Sequence, residues 1–355
     1  MARRSLAWQT FAVAATYIGT VVGAGFASGQ ETLRFFAAYG RAGLLGIALA
    51  TVMFCAYGSL ILGLGRRLGA RSHSEILRHV CGEHLGRVMD ALITLFVGAT
   101  LAVMVAGGGA VFTEQLGIPR PVGVLITAMV TGATVLAGMR GIVAANAVVV
   151  PVLTLTVAGL TFSSINFHGL LPMLTRALPW PGLAPVKSWF VATLLYAGYN
   201  LVLSIPVLGP LGAEVEDRRA LWLGALLGGT ALGILGAGIK LAVGAHLPEI
   251  GRWEVPMLYL ARLHSRPVQW IYTAILWAEI YTTALGCAYG FAVRTAEVLR
   301  IHYRTVVVAV TAGALVGSGF GFSRLVAVLY PVFGFVTLIV LVGLTWVGLR
   351  SQSAP

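Results

Sequence analysis

Val22-Gly23-Ala24-Gly25-Phe26-Ala27-Ser28-Gly29-Gln30-Glu31 decides how the rest of this chain is read. The stretch lies inside a largely apolar run from about Trp8 to Tyr39. It places three glycines within seven residues and follows them with Gln30 and Glu31. A glycine in a helix interior costs about 1 kcal/mol relative to alanine. Three together favour a local unwinding, with carbonyls opened from a first half-helix and N–H groups from a second. Gln30 and Glu31 would fall in the first turn of that second half-helix, where the helix dipole favours an acid. Close helix packing through small residues is the bland alternative, but packing needs no acid at that place. Gly23-x-Gly25 does not read as a dinucleotide loop, because no strand precedes it and the third glycine falls one position late.

Composition says where such a helix sits. The 355 residues are 58% hydrophobic and only 10% charged, with a mean hydropathy of +0.90. Soluble domains carry about 25% charge. The apolar residues come in blocks long enough to cross a bilayer as helix, which takes about 20 residues. Spanning segments must satisfy their own backbone polar groups, so they are helices or a closed barrel. Barrel strands alternate in hydrophobicity over about ten residues, whereas these segments are continuous, so the chain is all-α. Backbone unwound at mid-membrane is tolerated only against protein or a water-filled cavity, which turns the glycine stretch into a candidate solute site.

Ten spans are expected. The first is the interrupted run from Trp8 to Tyr39, followed by about Leu44–Gly65, Val88–Leu116, Pro121–Met139 and Ile142–Phe162. The second set is about Ser188–Ala213, Ala220–Ala245, Val268–Val298, Thr305–Phe320 and Leu325–Leu349. The start, Met-Ala-Arg-Arg before an apolar run, resembles a signal peptide, but the run continues into more helix and reads as an uncleaved first span. With the N-terminus inside, 14 of the 24 basic residues fall on cytoplasmic connections, 8 outside and two (Arg34, Lys240) within spans. That bias places both termini in the cytoplasm of a multi-pass cell-membrane protein. It also accounts for the formal net charge of +12 without nucleic acid, for which no basic face with interleaved aromatics exists. Cys55, Cys81 and Cys287 are an odd, scattered set and suggest no disulfide framework.

The spans fall into two halves, residues 1–166 and 167–350, with a tail at 351–355. Each half opens on an interrupted span. Each has an amphipathic connection between its second and third spans, about Arg66–Arg87 and His246–Arg266. In the first, Ser72-x-x-Glu75 reads as a capping box. Five spans per half means that the second half enters the membrane from the opposite side, the inverted repeat of secondary transporters. In the sixth span Gly198, Asn200 and Pro206 interrupt Tyr196-Ala197-Gly198-Tyr199-Asn200-Leu201-Val202-Leu203-Ser204-Ile205-Pro206. Proline removes an amide and frees a carbonyl one turn back. Corresponding breaks in both halves are the best sequence pointer to a transport site.

These two stretches resemble the hallmarks of the YkvI-like bacterial membrane proteins, grouped as candidate amino-acid permeases. Val-Gly-Ala-Gly-Phe-Ala-Ser-Gly-Gln-Glu at 22–31 carries the more specific likeness, and Tyr-Asn-Leu-Val-Leu-Ser-Ile-Pro-Val-Leu-Gly-Pro-Leu-Gly at 199–212 the weaker one. The resemblance covers essentially the whole chain. It implies the amino acid–polyamine–organocation superfamily and its LeuT-type five-plus-five fold, with helices 1 and 6 discontinuous. Carried onto this sequence, it implies a substrate site at Gly23, Ala24, Gly25, Phe26, Ala27, Ser28, Gly29 and Gln30 with Tyr196, Gly198, Tyr199 and Asn200. It also implies a coupling-cation site near Gly19 and Val22, facing Thr282 and Thr283. Glu279, at i−3 and i−4 from those threonines, shares their face and departs from the neutral small residue that the resemblance leads one to expect. Sodium and proton coupling therefore both stay open. An acid inside the membrane is a functional hypothesis by default.

Among the remaining polar groups, Arg34 lies one turn beyond Gln30 and suits either an external gate or an interface anchor. Lys240, near the outer end of its span, is expected to snorkel. Asn146 suits an interhelical hydrogen bond. His73, His79, His84 and Cys81 fit no zinc spacing, so no metal site is expected. No enzyme motif and no cofactor site is present, the ion gradient being the only expected energy source. The expected activity is alternating-access symport of a small zwitterionic solute, an amino acid, with a lipid bilayer as the partner and the oligomeric state left open. The alternatives are a permease for another small organic solute and a small-ligand receptor that keeps the transporter fold. A metal-ion permease would need soft or acidic ligands at both breaks, which Phe26, Ala27, Tyr199 and Leu201 do not supply.

Overall fold

Ser5 opens the first helix by accepting a hydrogen bond from the Trp8 amide at 3.3 Å, and α1 then runs over Leu6–Val21. The computed structural model describes residues 5–137, 142–168 and 179–352. The side chains of 142–150 are not among those described, so Asn146 is outside them, as are Arg3, Arg4, Arg140 and Arg176. After α1 come a single turn, α2 (Ala24–Ala27), and α3 (Gln30–Thr32), which continues as a π-turn over Leu33–Ala37. The first half goes on with α4 (Ala42–Leu68), α5 (His73–Cys81), α6 (Glu83–Leu116), α7 (Arg120–Ala137) and α8 (Ile142–His168). The second half holds α9 (Trp189–Glu214), α10 (Arg218–Gly244), α11 (Pro256–His264), α12 (Arg266–Leu299), α13 (Tyr303–Ser318) and α14 (Phe322–Gln352).

The ends of these helices follow local chemistry. Asp217 and Ser265 accept from the amides of Arg219 and Val268 and so start α10 and α12. Such side chains satisfy donors that a helix start leaves unpaired. Gly69 and Gly117, both left-handed, stop α4 and α6. Among the described residues, six helices (α4, α6, α7, α9, α10 and α14) are long and apolar enough to cross a membrane. Two shorter apolar segments, Pro151–Ser164 and Tyr303–Ser318, accompany them. Outward-facing side chains are apolar as well: Leu155, Val316 and Val342 are 73%, 79% and 70% exposed. A surface of that kind matches lipid, not water.

Glycines set how the helices meet. A Cβ at Gly224 would strike Val13, and one at Gly228 would strike Tyr17. Helices α1 and α10 are therefore parallel and closely packed. Gly46 abuts Thr193, and Gly65 abuts the Gly209 carbonyl, so α4 and α9 are parallel too. Gly229 and Gly233 meet Cys55 and Thr51, which makes α4 and α10 antiparallel. Small residues let helix backbones approach where no hydrophobic force between helices exists. A second group forms around α6. Gly108 receives Thr127 of α7, Gly98 receives Phe291 of α12, and Ala102 faces Gly317 of α13.

Three expectations need correction. The sixth span is not discontinuous: α9 runs unbroken through Gly198, Asn200, Pro206 and Pro210. Gly198 serves packing, since a Cβ there would come within 2.8 Å of Thr337 Oγ1. Asn200 donates to the Tyr196 carbonyl of its own helix at 3.0 Å, so its polarity stabilises the helix it was expected to interrupt. The capping box at Ser72 is incomplete. Glu75 accepts from the Arg71 amide at 2.9 Å, and the Ser72 hydroxyl pairs with Ser74. Lys240 does not snorkel. It is 1% exposed, held inside by the helices packed around α10.

Candidate functional site

The first helix breaks twice. Val22 and Gly23 leave helical geometry, with Gly23 extended at φ −110° and ψ −174°. Gly29 then turns left-handed at φ 80°, a conformation glycine reaches without the steric cost other residues carry. Between the two breaks, the Ser28 hydroxyl donates to the Gly25 carbonyl at 2.9 Å and receives the Gln30 amide at 3.3 Å. The carbonyls of Ala27 and Ser28 point across to the second half. They receive the Tyr272 hydroxyl and, at 3.0 Å, the Met257 amide.

Glu31 is the acid of this site. Its side chain folds back over the break, so closely that a Cβ on Gly25 would meet the carboxylate. It is 5% exposed and lies against Tyr199 and Asn200 of α9. Its Oε2 and the Tyr199 hydroxyl complete no well-formed hydrogen bond, and among the described residues no basic side chain pairs with it. Four buried rings stand around that place. Tyr199 lies 5.6 Å from Tyr196, 5.0 Å from Tyr330 and 5.9 Å from Phe35, centroid to centroid. Phe26, Ala24 and Ala27 of the break are buried among the helices.

Of the residues expected to hold a cation, Thr283 is the one aimed at the break, 3.9 Å from a Cβ placed on Gly23. Glu279, 3% exposed, pairs with the Thr283 side chain and keeps Oε2 without a partner. Thr282 is turned back, its hydroxyl donating to the Glu279 carbonyl at 3.2 Å. Val22 is buried at the break, while Gly19 lies one turn earlier in α1.

Gln30 and Arg34 face one end of the molecule and fasten it. Gln30 donates to the Trp253 carbonyl at 2.9 Å and accepts from Arg34 Nε at 3.2 Å. Arg34 also donates to Ser323 at 2.6 Å at the start of α14. Glu254 joins Arg120 and accepts from the Phe322 amide at 3.2 Å, and Glu114 accepts from the Glu254 amide at 2.7 Å. At the opposite end Asp90 of α6 binds Arg294 of α12, and His73 lies 2.7 Å from the same carboxylate.

Sequence reasoning placed the break correctly but left Glu31 out of the expected contact set, along with Phe35 and Tyr330. The signal for Glu31 was present: an acid just beyond a broken membrane helix is costly unless used. Nothing in the spacing identified Phe35 or Tyr330, because their meeting with α9 is a tertiary event.

Fold and site together define a class, the integral membrane proteins of the LeuT fold. The chain is similar to MhsT, solved in complex with L-phenylalanine, at a TM-score of 0.62, with 15% identity over 92% of this chain and 87% of that one. Inward-facing Mhp1 gives a TM-score of 0.60 at 15% identity, over 94% and 75% of the two chains. A manganese transporter of Eremococcus coleocola gives 0.57 at 14%, over 88% and 70%. In sequence, the chain is 32% identical over 327 residues to membrane protein YkvI of Bacillus subtilis (strain 168), covering 92% of both chains. It therefore belongs to the YkvI family. Protein YyaD of the same organism is 27% identical over 328 residues, 92% of this chain and 93% of its own. No family model matches.

Proposed function

We propose that the protein is a secondary active transporter of a small zwitterionic solute, an amino acid, driven by a sodium or proton gradient. The observation that carries this reading is Glu31. It is a buried acid without a basic partner among the described residues, folded across an unwound membrane helix and ringed by Phe35, Tyr196, Tyr199 and Tyr330. A cationic group has two attractions there, the carboxylate and the negative faces of the rings. The substrate's ammonium sits against Glu31, and its carboxylate lies on backbone N–H groups left open by the break after Val22. Gln30, expected among the substrate contacts, bonds instead to Trp253 and Arg34. A coupling ion sits between Glu279, Thr283 and the break at Val22–Gly23, binding a sodium ion through oxygens or taking a proton on the carboxylate.

Ten crossings in two inverted halves, residues 1–166 and 167–350, complete the proposal, with both termini in the cytoplasm. The helix pairings support it. Exchanging α1 with α9 and α4 with α10 turns the parallel pair α1–α10 into the parallel pair α9–α4. Alternating access then moves one group of helices against the other around a fixed site. In this conformation the Arg34 end is the closed one.

Uptake of labelled amino acids into proteoliposomes, under imposed sodium or proton gradients, tests the proposal. Gradient-driven accumulation is the expected result. Binding without flux under either gradient would replace it with the receptor reading.

A further inference from the structure

Lys240 of α10 and Glu31 of α3 carry opposite charges in the same interior, and in this conformation they do not meet. Lys240 is 1% exposed and Glu31 is 5% exposed. The Lys240 Nζ has no hydrogen-bond partner, and neither has the Glu31 Oε2. Among the described residues no ion pair includes either side chain. A buried charge left without its partner is strongly destabilising. A lone acid and a lone base on neighbouring elements call for a state that satisfies both.

The packing of α10 brings the two within reach. Gly224 meets Val13 and Gly228 meets Tyr17. Carried on past the break, that register puts Lys240 level with Gly29 and α3. Helix α10 packs against α3 and against the π-turn over Leu33–Ala37. Lys240 lies one turn beyond Gly236 and shares its face. That face is open: a Cβ on Gly236 would meet nothing within 4 Å. Gly233, Gly236, Phe36 and Tyr196 line a small cavity there, and Tyr196 is one of the rings that stand around Glu31. The flexible stem of a lysine has room to swing along this face toward the rings. Glu31 can come the other way, since its carboxylate is folded back over Gly25, away from the level of its own backbone.

We infer that Lys240 is the counter-ion of Glu31 while the empty carrier returns, standing in for the ammonium of the substrate. The inference rests on the reading of Glu31 as the ammonium site. The arrangement described above, with Glu31 turned into the ring cage, is the one that receives an ammonium. After release, Glu31 leaves Gly25 and Lys240 reaches it, so the empty carrier crosses the membrane interior without a lone buried charge. The next substrate competes with Lys240 for the same carboxylate, and its binding sends Lys240 back along α10.

Dicyclohexylcarbodiimide, which adds to buried protonated carboxyl groups, tests the pair without any substrate. Labelling of Glu31 and Glu279 in the reconstituted protein is followed by peptide mass spectrometry. A nearby opposite charge favours the ionised acid by roughly tenfold or more, so Glu31 should label several-fold faster in Lys240→Met than in the wild type. Lys240→Arg, which keeps the charge, should stay near the wild-type rate. Glu279, a buried acid outside the pair, reports general loosening and should label at its wild-type rate in every variant. If Lys240→Met does not purify as a monodisperse protein, Lys240→Gln replaces it with the same expectation. A second arm reads the return step with the labelled amino acids of the uptake assay. Net uptake by the variant should fall several-fold more than exchange into liposomes loaded with the same amino acid, because exchange never returns the empty carrier. Unchanged labelling of Glu31, equal rises at Glu31 and Glu279, or equal losses of net uptake and exchange would each overturn the inference. A wild-type protein that moves no amino acid would instead remove the proposed substrate, and the carboxyl labelling would still decide on the pair.

Discussion

Glu31 and Gln30 are neighbours in sequence with opposite duties. Gln30 faces the closed end and bonds to Trp253 and Arg34, whereas Glu31 turns inward across Gly25. Replacing Glu31 with Gln keeps the shape and removes the charge. A hydrogen bond to a charged group is worth about 1.5–3 kcal/mol, so uptake kcat/KM should fall roughly 10- to 100-fold. Glu31→Asp should recover part of it. Wild-type uptake by Glu31→Gln would remove the carboxylate from the site. Glu279 is tested through its ion response. Glu279→Gln should lose the gradient dependence of uptake while still binding substrate, measured as flux against imposed sodium and pH steps. Unchanged ion and pH dependence would take that residue out of coupling.

At the scale of elements, the glycines of the break are not equivalent. Gly29 has a left-handed backbone, and a Cβ there would lie 2.9 Å from Met257 Cγ. Gly29→Ala should cost about 1–2 kcal/mol in conformation alone, read as a lower melting temperature in detergent. Gly23 is extended, with only Thr283 near it at 3.9 Å. Gly23→Ala should shift stability by less than about 0.5 kcal/mol. Equal melting shifts would contradict the assigned geometry. The first break was legible because three clustered glycines oppose a helix over several residues. The second was misread, since Gly198, Asn200 and Pro206 carry the same composition signal in an unbroken α9. Propensity records a local cost. It does not record that Thr337 needs the space at Gly198 or that Asn200 can satisfy itself on Tyr196.

Across the whole molecule, the closed end depends on a few polar ties that bridge the halves. Arg34 joins Gln30 to Ser323, and Glu254 joins Arg120 to Phe322. Weakening one should shift the population toward a state open at that end, because a tie worth about 1 kcal/mol changes a two-state ratio about fivefold. A cysteine at Tyr330, with Cys55, Cys81 and Cys287 replaced by serine, reports this through a membrane-impermeant thiol reagent. Labelling should be several-fold faster in Arg34→Gln; an unchanged rate would show that Arg34 is only an anchor.

The sequence alone determined that this chain lives in a membrane as helices and that its first helix unwinds at Gly23 and Gly29. Both follow from local free energies, the transfer of apolar side chains and the summed conformational cost of three glycines within seven residues. Only the tertiary structure decided that α9 stays whole, that Lys240 is buried and that Glu31 faces Tyr199. Those outcomes depend on which helix lies beside which, and on whether a partner arrives for a polar atom once water is gone.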